Sequence, residues 1–145
     1  NNDFIPIRYT CFGDNVSPPL KISSPPKNTI SLVLIMQDPD APGDNWLHWL
    51  AWNIPPDTTE IPENTGSLAS SSIARNDFGN AAYGGPCSKD AKPHRYFFEV
   101  YALNNTLDMP LNADRNAIQQ AMKGHILTQA KLVGIFGTNL DKIQY

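Results

Sequence analysis

Thirteen prolines and nine glycines are scattered through 145 residues, and no other feature constrains this chain so strongly. Proline inside a helix loses a hydrogen bond and collides with the preceding turn, and glycine punctuates helices and strands alike. The chain is therefore cut into short segments, which suits a β-rich fold with long, shaped loops. Segments 29–37, 48–54, 95–103 and 131–138, rich in Val, Ile, Phe, Tyr or Trp, are predicted as strands. In the third, Tyr96, Phe98, Val100 and Ala102 alternate with Arg95, Phe97, Glu99 and Tyr101. Both sets are largely apolar, so that strand is expected to be covered on both faces.

Helical signals gather after Pro110. Asn112 can cap a segment in which Ala117, Ile118, Ala121 and Met122 form one stripe, with Asp114 in the first turn and Gly124 at the stop. A short second helix is expected over 125–130, and His125 is expected to interact with the negative end of the first. The expected fold class is mainly β: two antiparallel sheets in a sandwich with one or two peripheral helices near the C-terminus. A single domain over 1–145 would bury roughly 70% of the surface its unfolded chain exposes.

Eleven Lys and Arg against fourteen Asp and Glu give a formal charge of −3. No run of like charges breaks the balance, so nucleic acid is not an expected partner. The apolar run ISLVLIM is far short of the roughly 20 residues that span a bilayer. The polar start NNDFIPIRYT has neither the basic nor the apolar region of a signal peptide, yet it lacks an initiator Met. A cytoplasmic location is expected, with a secreted or periplasmic one left open.

The stretch DPDAPGDNWLHW places Asp38 and Asp40 in a proline-stiffened turn after that apolar run and returns with His48. A second loop, YGGPCSKDAKPH, delivers His94 to another aromatic strand. If the strands are neighbours, both histidines face the aspartates across a cavity with proline and aromatic walls. A carboxylate beside an imidazole favours its protonated form. Protonated histidines and the free backbone N–H groups of YGGP would then donate to phosphate or carboxylate. Aspartates aimed at an anion would repel it, so their role would be to orient imidazoles and backbone. Turn formation alone is the simpler reading of Asp-Pro-Asp.

Other chemistries find less in the spacing. A zinc site from His48, His94 and an aspartate lacks an HxH, HExxH or CxxC pair, and no cofactor is expected. Cys87 with His94 has no visible orienting third residue, and Ser70, Ser71 and Ser72 have no GxSxG context. Cys11 and Cys87 are either two small buried thiols or a disulfide. A disulfide would restrict the unfolded chain by roughly 4 kcal/mol and would suit an oxidising compartment or a thermophile.

SLVLIMQDPDAP with HWLAWNIP downstream, and YGGPCSKDAKPHRYFFEVYAL, resemble the two signature regions of the phosphatidylethanolamine-binding protein family. IPIRYTCFGDNVSPPLKIS, RNDFGNAAYGGPC and AIQQAMKGHILTQAKLVGIFG resemble its bacterial and archaeal branch. The resemblance implies two antiparallel sheets, peripheral helices and a pocket for phosphate-bearing head groups or similar anions. Asp38, Pro39, Asp40, Pro42, Trp46 and His48 match the first signature, and Gly85, Pro86, His94 and Tyr96 the second. These are the expected ligand-binding residues, with both histidines donating to the anion and Asp38 orienting. The expected function is non-enzymatic binding, with a regulatory role.

Relatives described as inhibitors imply an alternative, in which a serine protease, carboxypeptidase or kinase is blocked through loops such as SKDAKP or PPDTTEIPENTG. A hydrolase using the pocket's Asp and His groups is a third idea. SKDAK, with Lys89 and Lys92, departs from the prolines and glycine usual after GPC and makes the rim more polar. Nothing carries over to Tyr145.

Overall fold

The computed structural model describes residues 2–43, 45–65, 71–88, 90 and 92–137, and the statements below concern these residues. Ser70, Lys89, Thr138 and Tyr145 lie outside them. The strands are β1 (Asp3–Phe4), β2 (Leu20–Lys21), β3 (Ser31–Asp38), β4 (Trp46–Ile54), β5 (Glu60–Ile61), β6 (Ser72–Ile73), β7 (His94–Leu103) and β8 (Ile126–Phe136), with one helix, α1 (Arg115–Met122), before the last. A sheet of order β1-β8-β7-β3-β4-β6 faces a small pair, β2-β5. The fold is thus mainly β, with a large sheet, a small sheet and a helix. Its neighbours run antiparallel except β1 and β8, which pair in parallel through Asp3 with Gly134 and Phe4 with Ile135.

The apolar run became the central strand because both of its faces can be buried. All eight residues of β3 are buried. Leu32, Leu34 and Met36 pack with Trp49, Ala51, Tyr96 and Phe98, under Leu20 and Ile61 of the small sheet. Val33 and Ile35 pack with Leu50, Trp52 and Leu103, under Ile118 and Met122 of α1. The period of two thus divides one strand between two cores.

Residues 125–130 are not a second helix. Gly124 at φ +81° ends α1, and from Ile126 the chain is extended, paired with β7 from Leu103 to His94. The open edge of β7 offers a full ladder of backbone partners, and that tertiary pairing outweighs weak local preference. β8 accordingly begins earlier than the strand predicted over 131–138. The helix cap is Asp114 rather than Asn112. Ala113 N–H closes a turn onto the Pro110 carbonyl at 3.0 Å, leaving Asp114 extended, and its carboxylate accepts from Ala117 N–H at 2.8 Å. His125 does not engage the helix end through its side chain; its Nδ1 lies 2.9 Å from Asn104 Oδ1.

β4 contains the irregularity that matters for the site. Met36 pairs with Trp49 and the next residue, Gln37, with Leu47. His48 is therefore the extra residue of a β-bulge, a feature that re-aims side chains beside functional sites.

Candidate functional site

The end of β3, the start of β4 and the start of β7 meet around a cavity of about 370 Å³. Asp38, His48, His94 and Tyr96 lie on these strands and line it, with Trp46 at its edge. Loops supply Ala41, Pro42, Phe78, Cys87, Ser88 and Asp90. A larger groove of about 490 Å³ lies between β2 and the face of β7 and β8 that the small sheet partly covers, but it is mainly apolar and gathers no acid or histidine. The smaller cavity, where titratable groups converge, is the candidate site.

His94 is its centre. Nδ1 lies 2.6 Å from Asp38 Oδ2, and both side chains are 3% exposed. Nε2 lies 3.0 and 2.9 Å from the two Asp90 oxygens, with Ser88 Oγ at 3.4 Å. Burial works against charge on this ring, but hydrogen bonds to Asp38 and Asp90 and the charges of both outweigh it, and the pKa stands above the ordinary histidine value. With a carboxylate at each ring nitrogen, the geometry favours the imidazolium, which donates Nδ1–H to Asp38 and Nε2–H to Asp90. The bond to His94 in turn holds the Asp90 carboxyl below its usual range.

His48 behaves oppositely. Burial lowers its pKa, more than the Gly84 carbonyl and Asp38 raise it. Nδ1 lies 2.6 Å from the Gly84 carbonyl; a carbonyl only accepts, so Nδ1 carries the proton and Nε2 of the neutral ring is an acceptor. Of the two histidines expected to donate to an anion, His48 thus has its Nδ1–H committed to Gly84, and burial disfavours its charge. The ring sits edge-on to Phe78 and Tyr96, at centroid distances of 5.4 and 5.3 Å.

The glycine amides of YGGP are not free donors either. Gly84 N–H donates to the His48 carbonyl at 3.0 Å and Gly85 N–H to Asn15 Oδ1 at 2.9 Å, as buried amides must find partners. Gly85 and Pro86 stand behind the cavity wall. A Cβ on Gly85 would lie 2.2 Å from the Tyr9 carbonyl oxygen, and the Pro86 carbonyl accepts from Cys11 N–H at 3.1 Å. Cys11 and Cys87 are bonded, Cα to Cα 5.3 Å, so Cys87 offers no thiol nucleophile.

Asp40 and Pro39 also stand off the cavity. Asp40 accepts from Arg95 Nε at 2.9 Å and Nη2 at 2.8 Å and from Arg95 N–H at 2.9 Å. The arginine bonds, ahead of an opposing desolvation, bring its pKa down to about 2. This clamp ties the DPDAP turn to β7, while Asp38 Oδ1 accepts from Asp40 N–H at 2.8 Å. The carboxylates of DPD therefore divide the work, Asp38 inward on His94 and Asp40 outward on Arg95.

Sequence reasoning missed Ala41, Phe78, Ser88 and Asp90 as lining residues. Asp90 stands four residues before His94, a spacing with meaning on a helix but none in a loop. Phe78 is placed by Asn76, whose Oδ1 accepts from Phe78 and Asn80 N–H at 2.9 and 3.1 Å and whose Nδ2 donates to the Ala82 carbonyl at 2.8 Å. Ser88, His94 and Asp38 have the order of a hydrolytic triad, but Ser88 Oγ stands 3.4 Å from Nε2, farther than the Asp90 oxygens that engage it. Among the described residues no three His, Cys, Asp or Glu side chains converge as metal ligands, and no helix is long and apolar enough to cross a membrane.

Comparison with known proteins gives a consistent result. Residues 1–137 match the family model described as phosphatidylethanolamine-binding protein. A UPF0098 protein of Methanothermobacter thermautotrophicus is 46% identical, across 91% of this chain and 89% of its own length. A UPF0098 protein of Pyrococcus horikoshii is 45% identical, across 94% and 72%. Among solved structures, a homologue of phosphatidylethanolamine-binding proteins from Chlamydia trachomatis superposes with TM-score 0.88 at 34% identity, over 94% of this chain and 91% of that one. YbcL of E. coli superposes with TM-score 0.87 at 30% identity, over 94% and 92%.

Proposed function

The chain belongs to the phosphatidylethanolamine-binding protein family, and on that premise we propose that the His94 pocket binds a phosphate or carboxylate group carried by a small molecule, lipid head group or peptide, without turnover. One observation carries the reading: His94 is a charged donor, oriented from behind by buried Asp38, whose Nε2–H already holds an oxyanion in the form of the Asp90 carboxylate. A charge-assisted bond from a buried donor is strong, and the carboxylate of Asp38 holds the ring in the orientation that makes it. The rim supports the same reading. Trp46 and Phe78 are 38% and 42% exposed, giving apolar surface for the body of a ligand whose charged head lies inside.

Titration calorimetry with inorganic phosphate tests this. Binding is expected for the unaltered protein, and His94→Gln, which keeps the size but not the charge, is expected to weaken it at least about tenfold. Sulfate keeps a constant charge over neutral pH, so its affinity should fall as pH rises through the raised His94 pKa. Phosphate binding that His94→Gln leaves intact would place the anion elsewhere.

A further inference from the structure

An imidazolium has two N–H groups, and in His94 both are in use. Asp38 takes the inner one and Asp90 the outer, the latter with its two oxygens at 3.0 and 2.9 Å from Nε2. The pocket's other expected donors are committed, since Gly84 and Gly85 N–H are bonded within the chain and His48 Nδ1 is on a carbonyl. Among the described residues that line the cavity, two carboxylates, Asp38 and Asp90, face one imidazolium. An external anion therefore meets an occupied donor.

The two carboxylates differ in exposure. Asp38 is 3% exposed and fixed in the strand, whereas the Asp90 side chain is 35% exposed, at the mouth. Asp90 Oδ1 also accepts from Lys92 N–H at 3.0 Å, a bond at the mouth that water can replace, while moving Asp38 would strand a buried charge. Asp90 is also tethered close to its seat, between Cys87, bonded to Cys11, and His94 itself at the start of β7. A short tether gives the internal carboxylate a high effective concentration against any ligand in solution.

We propose that Asp90 is a built-in competitor for the anion seat, its carboxylate holding the one outward N–H of His94 so that an external phosphate or carboxylate binds only by exchange with it. This rests on the anion-binding reading above and adds its control: the pocket is self-occupied until a ligand exceeds a threshold set by Asp90. The contact is particular to a loop in which an acid stands four residues before the pocket histidine.

The test compares the unaltered protein with Asp90→Asn and Asp90→Ala, using inorganic phosphate and acetate in titration calorimetry. Emptying a charge-assisted bond is expected to tighten phosphate about tenfold or more in both variants, and acetate as well. Removing a charge could also help an anion from a distance, so a crystal of the unaltered protein grown with phosphate supplies the second readout. Phosphate is expected on His94 Nε2 with the Asp90 carboxylate rotated away. Phosphate affinity that is unchanged or weaker in both variants, or phosphate bound beside an Asp90 still on Nε2, overturns the competitor role and leaves the anion site standing. No binding of either anion by any of the three proteins overturns both.

Discussion

Replacing Asp38 with Asn removes the charge behind His94 and little else, because the amide oxygen can still accept from Asp40 N–H, now 2.8 Å from Asp38 Oδ1. The pair it breaks is buried, at 2.6 Å with both side chains 3% exposed. Two unit charges about 4 Å apart attract by about 4 kcal/mol at an effective dielectric near 20. Breaking a buried pair typically costs about 3–5 kcal/mol. Here His94 can shed its proton and Asp90 remains, so the lower end applies, about 3 kcal/mol of folding stability at about pH 5.5.

The pH dependence has a definite sign. A histidine whose folded pKa is raised contributes stability that is complete below its unfolded value of about 6.5 and is lost as pH rises through the folded value. The variant lacks that contribution, so its deficit should shrink at high pH, to about 1 kcal/mol near pH 9, where only a neutral hydrogen bond differs. Urea denaturation at both pH values measures the deficits, and NMR titration of the imidazoles should show the His94 pKa falling. His48 serves as the reference, its pKa held below the ordinary value mainly by burial. An equal deficit at both pH values, or a His94 pKa that stays raised, would refute the account of how the imidazolium is held.

The Cys11–Cys87 bond spans 76 residues of sequence, and a closed loop of that size restricts the unfolded chain by about 4.5 kcal/mol. The Cys11→Ala, Cys87→Ala double variant should lose stability of that order in urea unfolding; a loss under about 1 kcal/mol would mean that the disulfide constrains little. Gly85→Ala puts a methyl 2.2 Å from the Tyr9 carbonyl oxygen and 2.7 Å from Asn15 Oδ1, an overlap that backbone must relieve. It should cost about 2–3 kcal/mol and shift the His48 NMR signals; unchanged stability would mean that residues 9–15 do not brace the wall.

The elements that the sequence revealed are those whose neighbours are apolar whatever the topology. β3, β4 and β7 announce themselves because Val, Ile, Leu, Phe and Trp dominate them, and β3 is buried throughout. The first half of β8 does not, since Thr128, Gln129 and Lys131 are exposed and only pairing with β7 makes the segment extended. At the site, Asp38, Pro42, Trp46, His48, His94 and Tyr96 were legible from residue type and from resemblance to the family signatures. Which side of a turn a carboxylate takes was not legible: Asp38 and Asp40 differ only in whether His94 or Arg95 is within reach. The protonation states were equally hidden. His48 and His94 both stand near strand starts beside acids, but burial disfavours charge on the first, while the contacts with Asp38 and Asp90 favour it on the second.

The parallel pairing of β1 with β8 has a consequence for how the protein is made. The first described strand finds its backbone partners on the last, Asp3 against Gly134 and Phe4 against Ile135. The wall of the pocket likewise needs Tyr9 and Cys11 to reach Gly85, Pro86 and Cys87. On a ribosome adding about 5–20 residues per second, Phe4 and Ile5 emerge on the order of ten seconds before the strand that covers them. For that interval Phe4 and Ile5 stay unburied on the nascent chain, open to chaperones, and the β1 edge of the sheet forms only once β8 has been made.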